Sequence, residues 1–187
     1  MIGQHLSQEE TDELQTLRES DRLAIKLKYW SLPEPSITDI RGDFDAELLS
    51  QGRGVGAVLT RALFGLRGSW LGKGFSPTSE TQGTGYNTFG SEDDFRRELR
   101  METYIDHSNI VPGHSFILDY RATQRGAIRW LRGELRMITS DLVLGIGTFG
   151  PRKNSLHRIR RVIPFVLVRS ARPAEEAPEL ETAATAA

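Results

Sequence analysis

The feature that most limits the fold of this chain is a change in the spacing of its apolar residues. Before Gly68 they recur at helical spacing, whereas over Phe95–Ile105 they alternate with charged residues, which is the two-residue period of a strand. The segments 114–121, 142–149 and 161–169 are interpreted in the same way, and short clusters of Gly, Pro, Asn and Ser separate them. Closely spaced strands without helices between them favour antiparallel pairing. We therefore expect a mainly β fold, an antiparallel β-barrel preceded by two or three helices.

The N-terminal third carries signals of helices rather than strands. Ser7 and Glu10 have the spacing of a capping box, and apolar residues continue at roughly helical spacing to about Trp30, before two prolines interrupt the pattern. Asp43 and Asp45 can cap a second, short helix. The pattern thus predicts one long helix and at least one short one in this part of the chain.

A run of alternating glycines, Gly52, Gly54 and Gly56, interrupts the helical pattern, and apolar residues at 57–63 restore it. Gly65 can end that helix as a C-terminal cap. A glycine run of this kind cradles phosphate when it follows a strand and opens a helix, but here a predicted helix precedes it. We therefore favour a joint between two helices over a phosphate site.

The chain is expected to have three parts. Residues 1–66 form a helical segment packed on the barrel, residues 67–171 form the barrel, and residues 172–187 form a disordered tail with too little apolar surface to order itself. The segment Ala127–Ile138 fits either a strand or a helix. We favour a strand, because Gly133 weakens a helix and a hairpin turn follows the segment.

Composition argues against several classes of function. The 187 residues include no cysteine, which excludes disulfides, thiolate metal sites and a cysteine nucleophile. The net charge of −1 argues against a nucleic-acid partner, and the basic cluster at 157–161 is weak support for one. No stretch approaches the roughly 20 apolar residues of a membrane span, and the N-terminus lacks a secretory signal. We expect a cytoplasmic protein without a cofactor or a metal ion.

Two short motifs and one arginine resemble a known family. Gly68-Ser69-Trp70 resembles the opening signature of the lipocalin-like, or calycin, β-barrels, and Leu118-Asp119-Tyr120 is similar to a second motif of that family with its first residue replaced. Arg169, in the last apolar strand, is similar in position to the arginine that stacks on the tryptophan and closes the barrel. The resemblance covers about residues 68–170. It implies a central cavity, an apolar ligand and contact between Trp70 and Arg169.

The residues best suited to catalysis lie at the ends of two predicted strands. Asp106 and His107 follow the strand that ends near residue 105, and together they could shuttle a proton near neutral pH. The simpler alternative is that His107 and His114 are exposed turn residues. The alternation that buries Phe116 also places Tyr120 inside the barrel, where its hydroxyl could donate a hydrogen bond to a ligand carbonyl.

Small-molecule pockets are mainly apolar with a few directed polar groups, so aromatic and polar side chains are the expected ligand contacts. They are Tyr86, Tyr104, His114, Phe116 and Trp130. Arg132, Glu134 and Arg136 share one face of the predicted strand with Trp130. We expect this face to point outward into solvent, because charges inside a barrel are costly unless they are paired.

These observations lead to three hypotheses about function. The first is a barrel that binds a hydrophobic small molecule and steers the cyclisation or isomerisation of a polyketide- or terpenoid-like substrate without a cofactor. The second is a non-catalytic carrier of an apolar ligand. The third is a structural or interaction protein that uses its N-terminal helices, and a second copy of the chain, forming a homodimer, is among the expected partners.

Overall fold

The structure, a computed structural model, describes residues 3, 5–49, 68–150 and 163–172. Within these residues, two helices precede an eight-stranded barrel. The helices are α1 (Gln8–Glu19) and α2 (Arg22–Ser31). The strands are β1 (Gly42–Leu48), β2 (Trp70–Pro77), β3 (Gln82–Gly90), β4 (Phe95–His107), β5 (His114–Asp119), β6 (Leu131–Met137), β7 (Leu142–Phe149) and β8 (Ile163–Arg169). A short 3-10 helix, Gly126–Trp130, lies between β5 and β6.

Each strand of the barrel pairs antiparallel with its neighbours in sequence, and β1 pairs with β8 to close the sheet. Closure pairs the two edges that an open sheet would expose. The predicted fold, a mainly β antiparallel barrel preceded by helices, is confirmed. In the part of the chain that the structure describes, neither helix is long and apolar enough to cross a membrane.

The first strand lies where a second helix was expected. Over Gly42–Leu48, Phe44 and Ala46 point into the barrel core, while Asp43 and Asp45 alternate with them on the outer face. The helix prediction is wrong because these carboxylates mark the polar face of a strand rather than a helix cap. The predicted joint at 52–65, the basic cluster at 157–161 and the tail from residue 173 lie outside the described residues.

The N-terminal helices form a layer on the outside of the barrel. α1 begins at the predicted capping box: the Ser7 hydroxyl accepts from the backbone N–H of Glu10 at 3.3 Å, and the Glu10 carboxylate accepts from that of Ser7 at 3.0 Å. The apolar sides of both helices join the outer faces of β7 and β8 in a second core. Its buried members include Leu14, Leu17, Ile25, Tyr29, Leu142, Leu144, Ile146, Val166 and Val168.

Large apolar side chains fill most of the barrel interior. They include Phe44, Phe75, Phe89, Met101, Phe116, Leu118, Leu135, Phe165 and Leu167. Opposite these residues β7 carries glycine: a Cβ at Gly145 would lie 2.3 Å from the ring of Phe165. Glycine at this position is therefore what allows the phenylalanine ring to cross the interior.

Strand β6 confirms the strand interpretation for residues 131–137. Arg132, Glu134 and Arg136 point away from the interior as expected, but each is at most 3% exposed. The Glu134 carboxylate accepts from Arg132 Nε at 3.2 Å and from the Ser108 hydroxyl at 2.5 Å. The expectation of a solvated face is wrong because the β4–β5 loop and α2 cover these charges and supply hydrogen-bond partners.

Trp70 and Arg169 do not stack on each other. The Trp70 ring packs edge-on against Phe165 with centroids 5.7 Å apart, whereas the Arg169 guanidinium lies 4.8 Å from the centroid of Phe44. Phe44 is in register with both Arg169 and Lys73, so the arginine lies level with Lys73, three residues from Trp70 along β2. The predicted contact is wrong because its two members lie at different levels of the barrel.

Candidate functional site

The main feature of the candidate site is a lysine inside the barrel. The pairing of β2 with β3 shifts by one residue between Trp70 and Gly72, so Leu71 is an extra residue in the strand. Residues three positions apart in a regular strand point to opposite faces. The bulge removes this restriction, and both Trp70 and Lys73 line the interior. The Lys73 side chain is almost completely buried, with 3% of the residue exposed.

Lys73 belongs to a hydrogen-bonded group of three side chains, which we name the Lys73–Asn87–Tyr120 cluster. Lys73 Nζ lies 2.5 Å from Asn87 Oδ1 and 2.9 Å from the Tyr120 hydroxyl oxygen. Asn87 Nδ2 donates to the same hydroxyl oxygen at 3.0 Å. The three residues come from β2, β3 and the end of β5, and all three are buried. Closure of the barrel therefore creates the cluster from three separate strands.

The backbone of β4 holds the amide of Asn87 in one orientation. Asn87 Nδ2 also donates to the carbonyl oxygen of Leu99 at 3.1 Å. Leu99 has a φ of 49°, in the left-handed region, where the pairing of β3 with β4 is irregular. Such a conformation costs a non-glycine residue about 1–2 kcal/mol. Because Nδ2 is engaged in this way, Oδ1 is left to face Lys73.

Three aromatic rings also lie close to Lys73 Nζ. The nitrogen lies 5.2 Å from the ring centroid of Trp70, 5.6 Å from that of Tyr120 and 5.8 Å from that of Phe165. Burial lowers the pKa of Lys73 to about 7, because the apolar interior disfavours the ammonium form. Burial also raises the pKa of the Tyr120 hydroxyl, although its hydrogen bond with Asn87 opposes this shift. At neutral pH the cluster therefore combines a protonated phenol with a partly neutral amine.

A cavity of about 30 Å³ adjoins the cluster. Its lining is Leu48, Trp70, Lys73, Leu118, Tyr120, Leu131, Gly133, Gly147, Ile163 and Phe165. Leu48 ends β1, and Leu131 and Ile163 begin β6 and β8, so the cavity lies at the end of the barrel where Trp70 begins β2. We refer to it as the Trp70 end. The volume is sufficient for about two water molecules.

The lining provides an amine, a phenol and apolar walls, which together suit the recognition of one polar group on an apolar molecule. The hydroxyl can donate to an oxygen, and the neutral amine can accept a proton or attack an electrophilic carbon. Throughout the described ranges, no group of three His, Asp or Glu side chains is placed to hold a metal ion.

The structure separates the residues predicted to be catalytic. Tyr120 lies inside the barrel, as predicted from the alternation along β5. His107 ends β4 and pairs with His114, which begins β5, whereas Tyr120 follows the last residue of β5. Six strand positions correspond to about 20 Å. Asp106 and His107 are therefore at the opposite end of β5 from Tyr120.

Asp106, His107 and His114 form a small group on the outer rim. The rings of His107 and His114 stack with centroids 4.4 Å apart, and His114 Nδ1 lies 3.0 Å from a carboxylate oxygen of Glu34. Asp106 accepts from the backbone N–H of His107 at 2.7 Å. His107 is exposed and the other two residues are partly exposed, so this group does not border the interior cavity.

Most of the expected ligand contacts also lie away from the cavity. Tyr86 and Tyr104 lie on the outer face, where their hydroxyls donate to carboxylates at 2.9 and 2.8 Å. Trp130 lies in the 3-10 helix and is 40% exposed. Phe116 does point into the barrel core, but it does not line the cavity. Irregularities in the strands explain why the two tyrosines do not contact the cavity as expected. Whether a side chain points inward or outward depends on the strand register, which the spacing of apolar residues does not show.

Lys73 and Asn87 were not identified from the sequence. A lysine flanked by Gly72 and Gly74 is typical of a solvent-exposed position, and simple alternation from Trp70 places its side chain on the outer face of the barrel. The usable signal was the conflict between Trp70 and Phe75, which cannot share a face of a regular strand because they are five positions apart. Placing both inside requires a bulge, and alternation backwards from Phe75 then turns Lys73 inward.

Comparisons with known proteins support the fold alone. No family model matches the chain, and no curated protein matches its sequence. Among solved structures, the crystal structure of a protein from Thermomonospora curvata is similar with a TM-score of 0.55 and 15% sequence identity. The similarity covers 87% of this chain and 97% of that one. The overall fold is thus shared along nearly the whole length of the other protein.

Proposed function

We propose that this barrel binds a small apolar molecule that carries one polar end group, in the manner that its resemblance to lipocalin-like barrels implies. The observation that carries the proposal is the Lys73–Asn87–Tyr120 cluster, which lies at the wall of an otherwise apolar cavity. Burying an ammonium group and a phenol is costly, and a core needs no such groups for packing. Strongly perturbed groups beside a cavity are typical of functional sites.

The size of the cavity limits the ligand. Pockets that enclose a drug-sized molecule have about 300–1,000 Å³, roughly ten times or more the volume beside the cluster. We therefore propose a slender ligand whose polar end reaches Lys73 and Tyr120. Its apolar part would lie along Leu48, Leu131 and Ile163 at the Trp70 end, displacing side chains there.

Binding of 1-octanol, a slender molecule with one hydroxyl, tests this proposal. Titration calorimetry should show binding of one octanol to the natural chain. Gly147→Leu should weaken it by at least about tenfold, because the added side chain occupies the cavity that the ligand would use. Gly147→Ala is the matched control, since a Cβ there meets Ile163 atoms no closer than 3.4 Å. Absence of binding, or equal binding by all three proteins, would contradict the proposal.

A specific observation also favours the enzyme hypothesis, in which the barrel is a cofactor-independent cyclase or isomerase of a polyketide- or terpenoid-like substrate. Tyr120 places a phenol at the cavity wall, and burial keeps it protonated and able to polarise a carbonyl. A carrier needs no such donor for chemistry. Tyr120→Phe separates the two: an enzyme loses turnover, whereas a carrier changes only in affinity.

The interaction alternative has its own support on α2. Leu23, Leu27 and Trp30 are 65%, 57% and 55% exposed, and their spacing places them along one side of the helix. A second copy of this chain could pack against that side to form the expected homodimer.

The cytoplasmic location expected from the sequence stays a prediction.

A further inference from the structure

We propose that Lys73 forms an imine with the carbonyl carbon of the bound ligand, so that the ligand is an apolar aldehyde or ketone. This inference rests on the proposed function, because it names the chemistry of the same cavity. It adds a covalent step and a substrate class that binding alone does not require.

The position of Lys73 fits this step. Lys73 lines the cavity together with Tyr120, and the ring centroids of Trp70 and Phe165 lie 5.2 and 5.8 Å from its Nζ. Within the described ranges, no carboxylate forms an ion pair with it, and Tyr120 is the titratable group that faces it. An amine without a counter-ion in an apolar site is the arrangement that activates lysines toward carbonyls.

The protonation state supports the same conclusion. An ordinary lysine with a pKa of about 10.4 is neutral in only about one molecule in a few thousand at pH 7. Burial lowers the pKa of Lys73 to about 7, so about half of the molecules carry the nucleophilic free amine.

The cluster also supplies the proton transfers of the reaction. Nζ attacks the carbonyl carbon, the carbonyl π bond breaks, and the Tyr120 hydroxyl donates its proton to the oxygen that becomes a hydroxyl. The nitrogen then returns a proton to the phenolate of Tyr120. In the second step that phenol protonates the departing hydroxyl, and loss of the remaining N–H proton to Tyr120 leaves the imine and one molecule of water. No oxidant, reductant or metal ion enters this balance.

Asn87 acts as a positioning residue in this scheme. Its Oδ1 lies 2.5 Å from Nζ, and its Nδ2 is held by the carbonyl of Leu99 and by the hydroxyl of Tyr120. The amide therefore fixes the long lysine side chain next to the phenol. Effective concentrations of reacting groups rise steeply when they are held in this way.

Reductive trapping with octanal and sodium cyanoborohydride tests the inference, because reduction converts an imine into a stable secondary amine. At pH 7 peptide mass spectrometry should find the octyl group on Lys73 at least about tenfold faster than on Lys26 of α2, because burial disfavours the ammonium form of Lys73. Lys73→Met should abolish the fast phase. Tyr120→Phe should slow it by about tenfold or more, because the phenol that donates and accepts the protons of the reaction is lost.

The outcomes separate this inference from the proposed function. Octanol that binds without fast trapping at Lys73 overturns the imine and leaves the binding site intact. Equal labelling of Lys26 and Lys73 overturns it as well. If octanol does not bind, the proposed function fails first, and the inference fails with it.

Discussion

At the scale of single residues, Lys73 is the least expected group in the molecule. Its hydrogen bonds to Asn87 and Tyr120 compensate part of the cost of removing an amine from water, but neither partner is charged. The cost therefore depends on pH. In the folded chain the pKa of Lys73 is about 7, whereas the unfolded chain keeps the ordinary value near 10.4.

The lowered pKa of Lys73 fixes the direction in which the stability of the protein changes with pH. Between pH 7 and about pH 10 the unfolded chain binds more protons than the folded chain, so stability rises with pH across this window. Lys73→Met removes this pH-dependent contribution. The free energy of unfolding of the variant, minus that of the natural chain, should therefore fall by a few kcal/mol from pH 6.5 to pH 10. Denaturant unfolding at several pH values measures this. A constant difference between the two proteins would show that Lys73 titrates normally.

At the scale of elements, Arg136 connects β6 to the end of α2 and to the β4–β5 loop. Its guanidinium donates to the carbonyl oxygens of Leu32 at 2.7 Å, His114 at 2.9 Å and Pro112 at 3.1 Å. It also lies over the ring of Tyr29, 5.5 Å from the centroid. A planar group with five donors can serve several carbonyls at once, which an ammonium group cannot match.

Arg136→Lys should therefore destabilise the protein by about 2–4 kcal/mol, because it leaves buried carbonyl groups without donors. The substitution should also accelerate amide hydrogen exchange more in α2 than in β2 and β3, which lie away from it. Arg129→Lys, at an exposed position of the 3-10 helix, is the control and should change stability by less than about 0.5 kcal/mol. Equal effects of the two substitutions would contradict the proposed connection.

At the scale of the whole molecule, the barrel depends on the helices for part of its covering. The outer faces of β7 and β8 carry apolar side chains that α1 and α2 bury. They are Leu142, Leu144, Ile146, Val166 and Val168, none of them measurably exposed in the complete fold. An apolar surface of this kind promotes association when it is uncovered.

A chain lacking residues 1–31 should therefore aggregate or lose much of its stability, and sedimentation velocity with thermal unfolding measures both. The control is Leu27→Glu, which changes a residue that is 57% exposed and should leave the melting temperature within about 2 °C. A truncated chain that stays monomeric and stable would contradict the covering role. If Leu27→Glu dissociates a dimer of the natural chain, the interaction alternative gains support instead.

The sequence by itself determined the parts of this protein that depend on local period. The capping box at Ser7 and Glu10, the inward side of β5 with Phe116 and Tyr120, and the strand at 131–137 all follow from spacing that neighbouring residues already contain. Seven residues of β1 also contain such a period. There the two aspartates were interpreted as helix caps, so the strand was missed.

Tertiary structure alone decided which residues meet. The bulge at Leu71 turns Lys73 inward, and only closure of the sheet brings it to Asn87 and Tyr120. In the same way, α2 and the β4–β5 loop turn the outward charges of β6 into buried ones. One extra residue in a strand turns every later side chain of that strand to the opposite face of the sheet. Whether an outward-facing side chain is buried depends on which other parts of the chain pack over it. Neither property is contained in the spacing of apolar residues along one segment.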